Sequence, residues 1–300
     1  MAGIVELLVQ GAVDTFLVFL VLVLAKRLGD WGFRRSLLKS GADDGPEQTV
    51  NHQIEECSNL AVALRQSGLG IGFGLGLAGV VSGGVTRFST GWEAVLADMS
   101  TMLEYLAVLL VFFFIAQVVA ERVVLAHVHN VQQLHGRNEA VGFAEFGILV
   151  ATGLIAYGSF HGEGGGWETS LAFFAMGQVA LVAFALLYEW ATPFNCLDEI
   201  RKGNSAAGLM LGGTLVTLGI VLGFAISGPF TGWTEGIIGF CVSAAIGMVL
   251  LIPFQWLIDR AFLPNTTLKI EVERDQNVAA CAVTIGTQIA LAIMIGALVA

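Results

Sequence analysis

An Asn at the head of an apolar segment, with Ala two residues on and Gly nine residues on, occurs four times in this chain: Asn59–Ala61–Gly68, Asn138–Ala140–Gly147, Asn204–Ala206–Gly213 and Asn277–Ala279–Gly286. In the first three copies a second Gly lies fifteen residues after the Asn, at Gly74, Gly153 and Gly219; the fourth has Ala292 there. Internal repetition constrains architecture more tightly than local propensity does, because every copy takes the same form and buries the same face. The chain is therefore one small unit used four times.

The medium follows from charge. Of 300 residues 56% are hydrophobic and 13% charged, against about 25% charged in a soluble domain. A water-soluble fold of this size could not cover its surface, so the expectation is a polytopic membrane protein whose first partner is the lipid bilayer. Eight segments reach the roughly 20 apolar residues that a spanning helix needs: about 8–28, 59–83, 102–125, 139–160, 169–190, 205–228, 235–258 and 277–299. They pair as four hairpins, and the second helix of each starts at the repeated Asn. The expected fold is thus all-α, with eight transmembrane helices as four parallel hairpin repeats.

The first helices carry their own marks. Gly91–Trp92, Gly166–Trp167 and Gly232–Trp233 precede three of them, each followed by an acid, at Glu93, Glu168 and Glu235. Trp at a helix entry is an interfacial anchor. A second acid sits near the far end of each first helix, at Asp30, Glu121, Glu189 and Asp259. The first segment lacks a basic leader and is followed by Lys26 and Arg27, which suits a retained helix with its N-terminus outside rather than a cleaved signal.

Orientation follows from the 14 Lys and Arg. Twelve fall inside the hairpins: Lys26, Arg27, Arg34, Arg35, Lys39, Arg122, Arg137, Arg201, Lys202, Arg260, Lys269 and Arg274. Arg87 alone lies between hairpins, and Arg65 lies within a span. Positive loops stay in the cytoplasm, so the hairpin tips are expected inside and both termini outside. Two-span repeats all point the same way and are related only by rotation about the membrane normal, unlike the inverted repeats of many carriers. A ring-like or two-plus-two bundle is the arrangement expected.

Several residues are candidates for function. The four Asn suit helix N-caps; equally, four helix N-termini around one cytoplasmic entrance would attract anions. The glycines Gly68, Gly147, Gly213, Gly286, Gly74, Gly153 and Gly219 suit close helix packing in lipid, or a hinge beside a conduit. Arg65 and Glu145 lie on the order of 10 Å below the cytoplasmic helix starts. Buried charges in a membrane are costly and mark function by default; here they are either an ion pair locking two hairpins or a permeation or proton-relay site. Gln66, Gln117, Gln178 and Gln288 are polar candidates beside them.

Other chemistry is not indicated. No basic stripe with interleaved aromatics points to nucleic acid. Cys57, Cys196, Cys241 and Cys281 lack metal or redox spacing and read as reduced or buried thiols. His127 and His129 are not spaced as helical metal ligands, and with His52, His135 and His161 they read as solvated loop residues. No nucleophile elbow, phosphate loop or metalloprotease motif is present. Gly68-Leu69-Gly70-Ile71-Gly72 lies inside a span. No metal or cofactor is expected, and the chain is read as not an enzyme.

One stretch resembles a known family. Leu187-Tyr188-Glu189-Trp190-Ala191-Thr192-Pro193-Phe194, then Asp198-Glu199-Ile200-Arg201-Lys202-Gly203-Asn204-Ser205-Ala206-Ala207-Gly208, resembles the DUF350 family of bacterial inner-membrane proteins, the YjfL-like group. The likeness returns at Asp259-Arg260, Pro264, Lys269-Ile270-Glu271 and Asn277-Val278-Ala279-Ala280, and is weaker in the first two hairpins. It implies two tandem four-helix domains, 1–162 and 163–300, in a bacterial inner membrane, and an envelope context with a peripheral membrane-remodelling partner. The leading functional expectation is a channel for a small ion, leaning to an anion, lined by the Gly-rich second helices. The alternatives are a non-conducting anchor or sensor, with the basic stretch from Lys26 to Lys39 as docking surface, and a proton-coupled carrier using Glu145. A homo-oligomer is a further possible partner state.

Overall fold

The computed structural model describes residues 2–41, 45, 49–82, 92–126, 128–162, 164–192, 194–262 and 266–299. All regular structure among them is helical: α1 (Ala2–Lys39), α2 (Val50–Glu55), α3 (Leu60–Val80), α4 (Trp92–Val119), α5 (Asn130–His135), α6 (Glu139–His161), α7 (Trp167–Ala191), α8 (Cys196–Arg201), α9 (Ser205–Ile226), α10 (Trp233–Phe262) and α11 (Val278–Val299). Short π-helical turns follow α4 at Ala120–Val124 and precede α11 at Ile270–Arg274. A helix satisfies its own backbone hydrogen bonds, which is what hydrocarbon demands of any spanning segment.

Among the described residues, seven helices are long and apolar enough to cross a membrane: α3, α4, α6, α7, α9, α10 and α11. This makes the chain a multi-pass membrane protein. The expected first span, 8–28, lies within α1, where the side chains of residues 2–10 and 14 are outside the described set. At 38 residues α1 is about 57 Å long, beyond the roughly 30 Å hydrocarbon core. The basic stretch Lys26–Lys39 is thus a helical extension, not the start of a loop. Gly91 and Arg87, the side chains of Trp92, Glu93 and Glu121, and His127, Pro193 and Pro264 lie outside the described residues.

The hairpin interiors, read as loops, hold short helices: α2, α5, α8 and the turn at Ile270–Arg274. Each leads directly into a long second helix, α3, α6, α9 or α11. The second helices pack in succession, α3 on α6, α6 on α9, α9 on α11. The first helices fill the grooves: α4 against α3 and α6, α7 against α6 and α9, α10 against α9 and α11. Phe112 of α4 stacks on Phe174 of α7 with ring centroids 4.0 Å apart. Phe173 of α7 meets Phe240 of α10 edge-on at 6.4 Å. The result is two parallel rows of helices.

The second helices α6 and α9 each use one face for the second helix before and a different face for the one after, so among the described residues the contacts run from unit to unit in chain order. Burial follows: 78% of the α6 span and 67% of the α9 span are buried inside the protein, against 33% of the α11 span. The middle of the second-helix row is the core, and α11 is an edge.

Candidate functional site

The four repeated Asn form the most regular polar feature of the molecule. Each is the first cap of its second helix. Asn59 Oδ1 accepts from the Val62 N–H at 3.3 Å, Asn138 from Ala140 and Val141, Asn204 from Ala206 and Ala207, and Asn277 from Ala279 and Ala280. An Asn cap satisfies N–H groups that a helix start leaves without partners.

The amide nitrogen does more. Each Nδ2 donates to the side chain of the preceding short helix or turn: Gln53 at 2.8 Å, Gln133 at 2.9 Å, Glu199 at 2.9 Å and Glu271 at 2.8 Å. In the first three units it also donates across to the next unit. Asn59 reaches the Leu134 carbonyl at 2.9 Å, Asn138 the Ile200 carbonyl at 2.9 Å, and Asn204 the Val272 carbonyl at 2.7 Å. One side chain thus caps its own helix, ties down its own short helix and clasps its neighbour. The three bonds to the next unit are buried, where an unmade one leaves a costly orphan group.

The residue before each Asn is left-handed: Ser58 at φ 50°, Arg137 at 63°, Gly203 at 89° and Gln276 at 48°. Three of these are non-Gly residues in a conformation that disfavours them, each followed by an Asn whose backbone N–H is tied to Gln53, Gln133 or Glu271. Sequence reasoning missed both this and the Gln or Glu five or six residues ahead of each Asn, although the second signal stands in the sequence. Two of the far-end acids act nearby. Glu189 accepts from the Leu197 N–H at 3.3 Å, and Asp259 from the Leu268 N–H at 2.8 Å.

The hydrogen bond from Asn204, with Lys202 beside it, holds the Glu199 carboxyl below its ordinary value. A group whose folded pKa is depressed contributes stability above its unfolded pKa, near 4.3, and loses it as pH falls through the folded value. Glu199→Gln keeps an acceptor for Asn204, as Gln53 and Gln133 do in the first two units. It should therefore lower the thermal unfolding midpoint modestly at pH 7, where ionised Glu199 contributes, and flatten its decline between pH 5 and pH 3 so that variant and parent converge in acid.

The glycines place backbone on backbone. A Cβ on Gly147 would overlap the backbone of Gly212, and one on Gly153 the backbone of Gly72. A Cβ on Gly68 would stand 2.7 Å from Phe146 Cα, and one on Gly219 2.7 Å from Ala151 Cα. Gly213 faces the Ile285 side chain. At Gly74 and Gly286, by contrast, no described atom lies within 4 Å of where a Cβ would sit.

The structure brings Arg65 and Glu145 together. Arg65 Nε lies 2.9 Å from Glu145 Oε2, with side chains 3% and 6% exposed. The pair joins α3 to α6, and the Arg65 guanidinium also sits 5.7 Å from the Phe33 ring of α1. Arg65 and Gln117 line a cavity of about 420 Å³ between α1, α3 and α4, walled by Phe33, Leu69, Phe73 and Phe113. Gln66 is half-buried. Gln288 accepts from Thr214 at 3.3 Å, linking α9 to α11.

The histidines are not all in loops. His161 ends α6, where its ring stacks on Tyr157 and its Nδ1 lies 2.8 Å from Ser82 Oγ. His52 and His135 belong to short helices. All four cysteines are free, with Cys196 and Cys281 buried.

Comparison with known proteins agrees with this duplicated build. Residues 46–160 and 163–299 each match the family described as Domain of Unknown Function (DUF350). A UPF0719 transmembrane protein of Aquifex aeolicus is 27% identical over 158 residues, covering 52% of this chain and 58% of that protein. The UPF0719 transmembrane protein YshE of Bacillus subtilis is 28% identical over 118 residues, covering 36% of this chain and 80% of that protein. The chain thus spans a little over half the length of the Aquifex relative. No solved structure matches it.

Proposed function

This chain belongs to the DUF350 family, and from that premise we propose that it is a non-conducting, non-catalytic membrane scaffold of the bacterial inner membrane. Eight spans cross in four parallel hairpins, with both termini outside and the short-helix tips in the cytoplasm. The concentration of Lys and Arg at the hairpin tips supports that orientation. So do the exposed Trp167 and Trp233 at the opposite helix ends.

The observation that carries the reading is the closure of the second-helix row. The glycines that a conduit would have used to expose backbone carry neighbouring backbone instead, Gly147 on Gly212 and Gly153 on Gly72. The two intramembrane charges are engaged with one another. A channel along the second helices would need both features opened. The exposed Arg27, Arg34, Arg35 and Lys39 at the end of α1 make a basic surface for anionic headgroups or an acidic peripheral partner.

Flux across liposomes tests this. With small anions, protons and alkali cations under an imposed potential, vesicles holding the folded protein should leak no faster than protein-free vesicles. Arg65→Ala and Glu145→Gln should not change that. Selective flux that shifts with Glu145→Gln would replace the scaffold with a conducting reading.

A further inference from the structure

The clasp runs in one direction, and that leaves the two ends of the row unlike and complementary. At the α11 end, Asn277 has its cap and its own Glu271 but, among the described residues, no neighbouring carbonyl to clasp. It is exposed, whereas Asn59, Asn138 and Asn204 are 1%, 9% and 1% exposed. At the α3 end, the acceptor equivalent to Leu134, Ile200 and Val272 is the carbonyl of Ile54, one residue past Gln53. No described side chain reaches it. Ile54 is half-buried, while its three counterparts are fully buried.

The helix faces show the same complementarity. Within the chain, the residue nine after the Asn of one unit packs on the residue eight after the Asn of the next: Gly68 on Phe146, Gly147 on Gly212, Gly213 on Ile285. The residue fifteen after the Asn packs back on the residue thirteen after the previous Asn: Gly153 on Gly72, Gly219 on Ala151. The unused members of these pairs are Gly286 and Ala290 on α11, and Ser67 and Gly74 on α3. Gly286, Ala290 and Ser67 are exposed, and both Gly286 and Gly74 face open space among the described residues.

We propose that copies of this chain assemble head to tail in the same bilayer, the α11 edge of one seated on the α3 edge of the next as a fifth repetition of its internal interface. Asn277 donates to the partner's Ile54 carbonyl, Gly286 packs on the partner's Ser67, and the partner's Gly74 packs on Ala290. The occupant is a second copy because the exposed face continues, position by position, an interface the chain already makes three times. Such a contact is heterologous: each added copy presents a new open edge, giving a ring where the rotation closes and a strand where it does not. The inference does not rest on the scaffold reading, since a conducting protein would assemble the same way, and mass and flux are separate measurements.

The test uses the full chain in lipid vesicles. Native mass spectrometry of the parent should show multiples of the protomer. Gly286→Leu should reduce the multimeric fraction at least tenfold, while Gly239→Leu, on the outer face of α10, should not. Because Gly286 faces open space in the protomer, the helical content and unfolding midpoint of Gly286→Leu should match the parent. With Cys57 and Cys241 changed to Ser, oxidation should link Ser67→Cys chains to Gly286→Cys chains only when the two are mixed. A parent that is monomeric at every protein-to-lipid ratio would overturn the proposal. So would a Gly286→Leu mass distribution equal to the parent's, or disulfide dimers of either single variant alone.

Discussion

Gly147→Ala will cost the protein about 3 kcal/mol or more of stability, at the upper end of overpacking effects, for a change of one methyl group. The added Cβ overlaps the Gly212 backbone of α9, and backbone has no rotamer to swing aside. Relief requires α6 and α9 to separate along their length, which also draws Asn138 from the Ile200 carbonyl. In lipid, helices associate through such close packing and not through a hydrophobic effect, so the loss is not made up elsewhere. Gly239→Ala is the control: no described atom lies within 4 Å of its Cβ position, and it should stay within about 0.5 kcal/mol of the parent. Unfolding by titration with a denaturing detergent, followed by circular dichroism, measures both. Equal stability of the two variants would show that the α6–α9 seam is looser than described.

Arg65→Ala should cost about 3–5 kcal/mol, the penalty for stranding one partner of a buried ion pair. Glu145 would keep its burial and lose its counter-charge. Changing Arg65 to Met and Glu145 to Leu together should come within about 1 kcal/mol of the parent, since apolar side chains of similar volume often replace a buried pair without loss. A residual deficit of ~0.5–1 kcal/mol would represent the lost contact between Arg65 and the Phe33 ring. The same unfolding titration on Arg65→Met, Glu145→Leu and the double variant completes a cycle, and a coupling below about 0.5 kcal/mol would mean that the two charges do not depend on one another. The double variant also separates structure from function. A scaffold survives it, whereas a relay through Glu145 does not.

Much of this architecture could be read from the chain itself. The spacing of Asn, Ala and Gly located every second helix to within a few residues, because a cap and a packing face recur wherever the unit recurs. The acids at Glu189 and Asp259 could be placed near helix ends, but not what they hold, since a hydrogen bond to a loop N–H leaves no periodic trace. The glycine pattern marked a packing face without showing whether it closed a ring or extended a row. That depends on the angle between the faces a helix gives to its two neighbours, which a single helix sequence does not reveal. Arg65 and Glu145 lie 80 residues apart in sequence, and only the register of α3 against α6 brings them to 2.9 Å. The left-handed residues were hidden for a different reason. Gly203 follows the usual rule, but Ser58, Arg137 and Gln276 each precede an Asn whose backbone N–H is tied to Gln53, Gln133 or Glu271.

The direction of the clasp also sets an order of manufacture. Asn59, Asn138 and Asn204 each find their interunit acceptor in the unit that follows in the chain, so each of the first three hairpins leaving the ribosome is completed only by the next one. The nascent protein carries one unfinished donor edge, which moves forward one hairpin at a time as synthesis proceeds. A gene that gained or lost a whole hairpin would leave the same edge in the same state, so the unit can be copied without redesigning its neighbours.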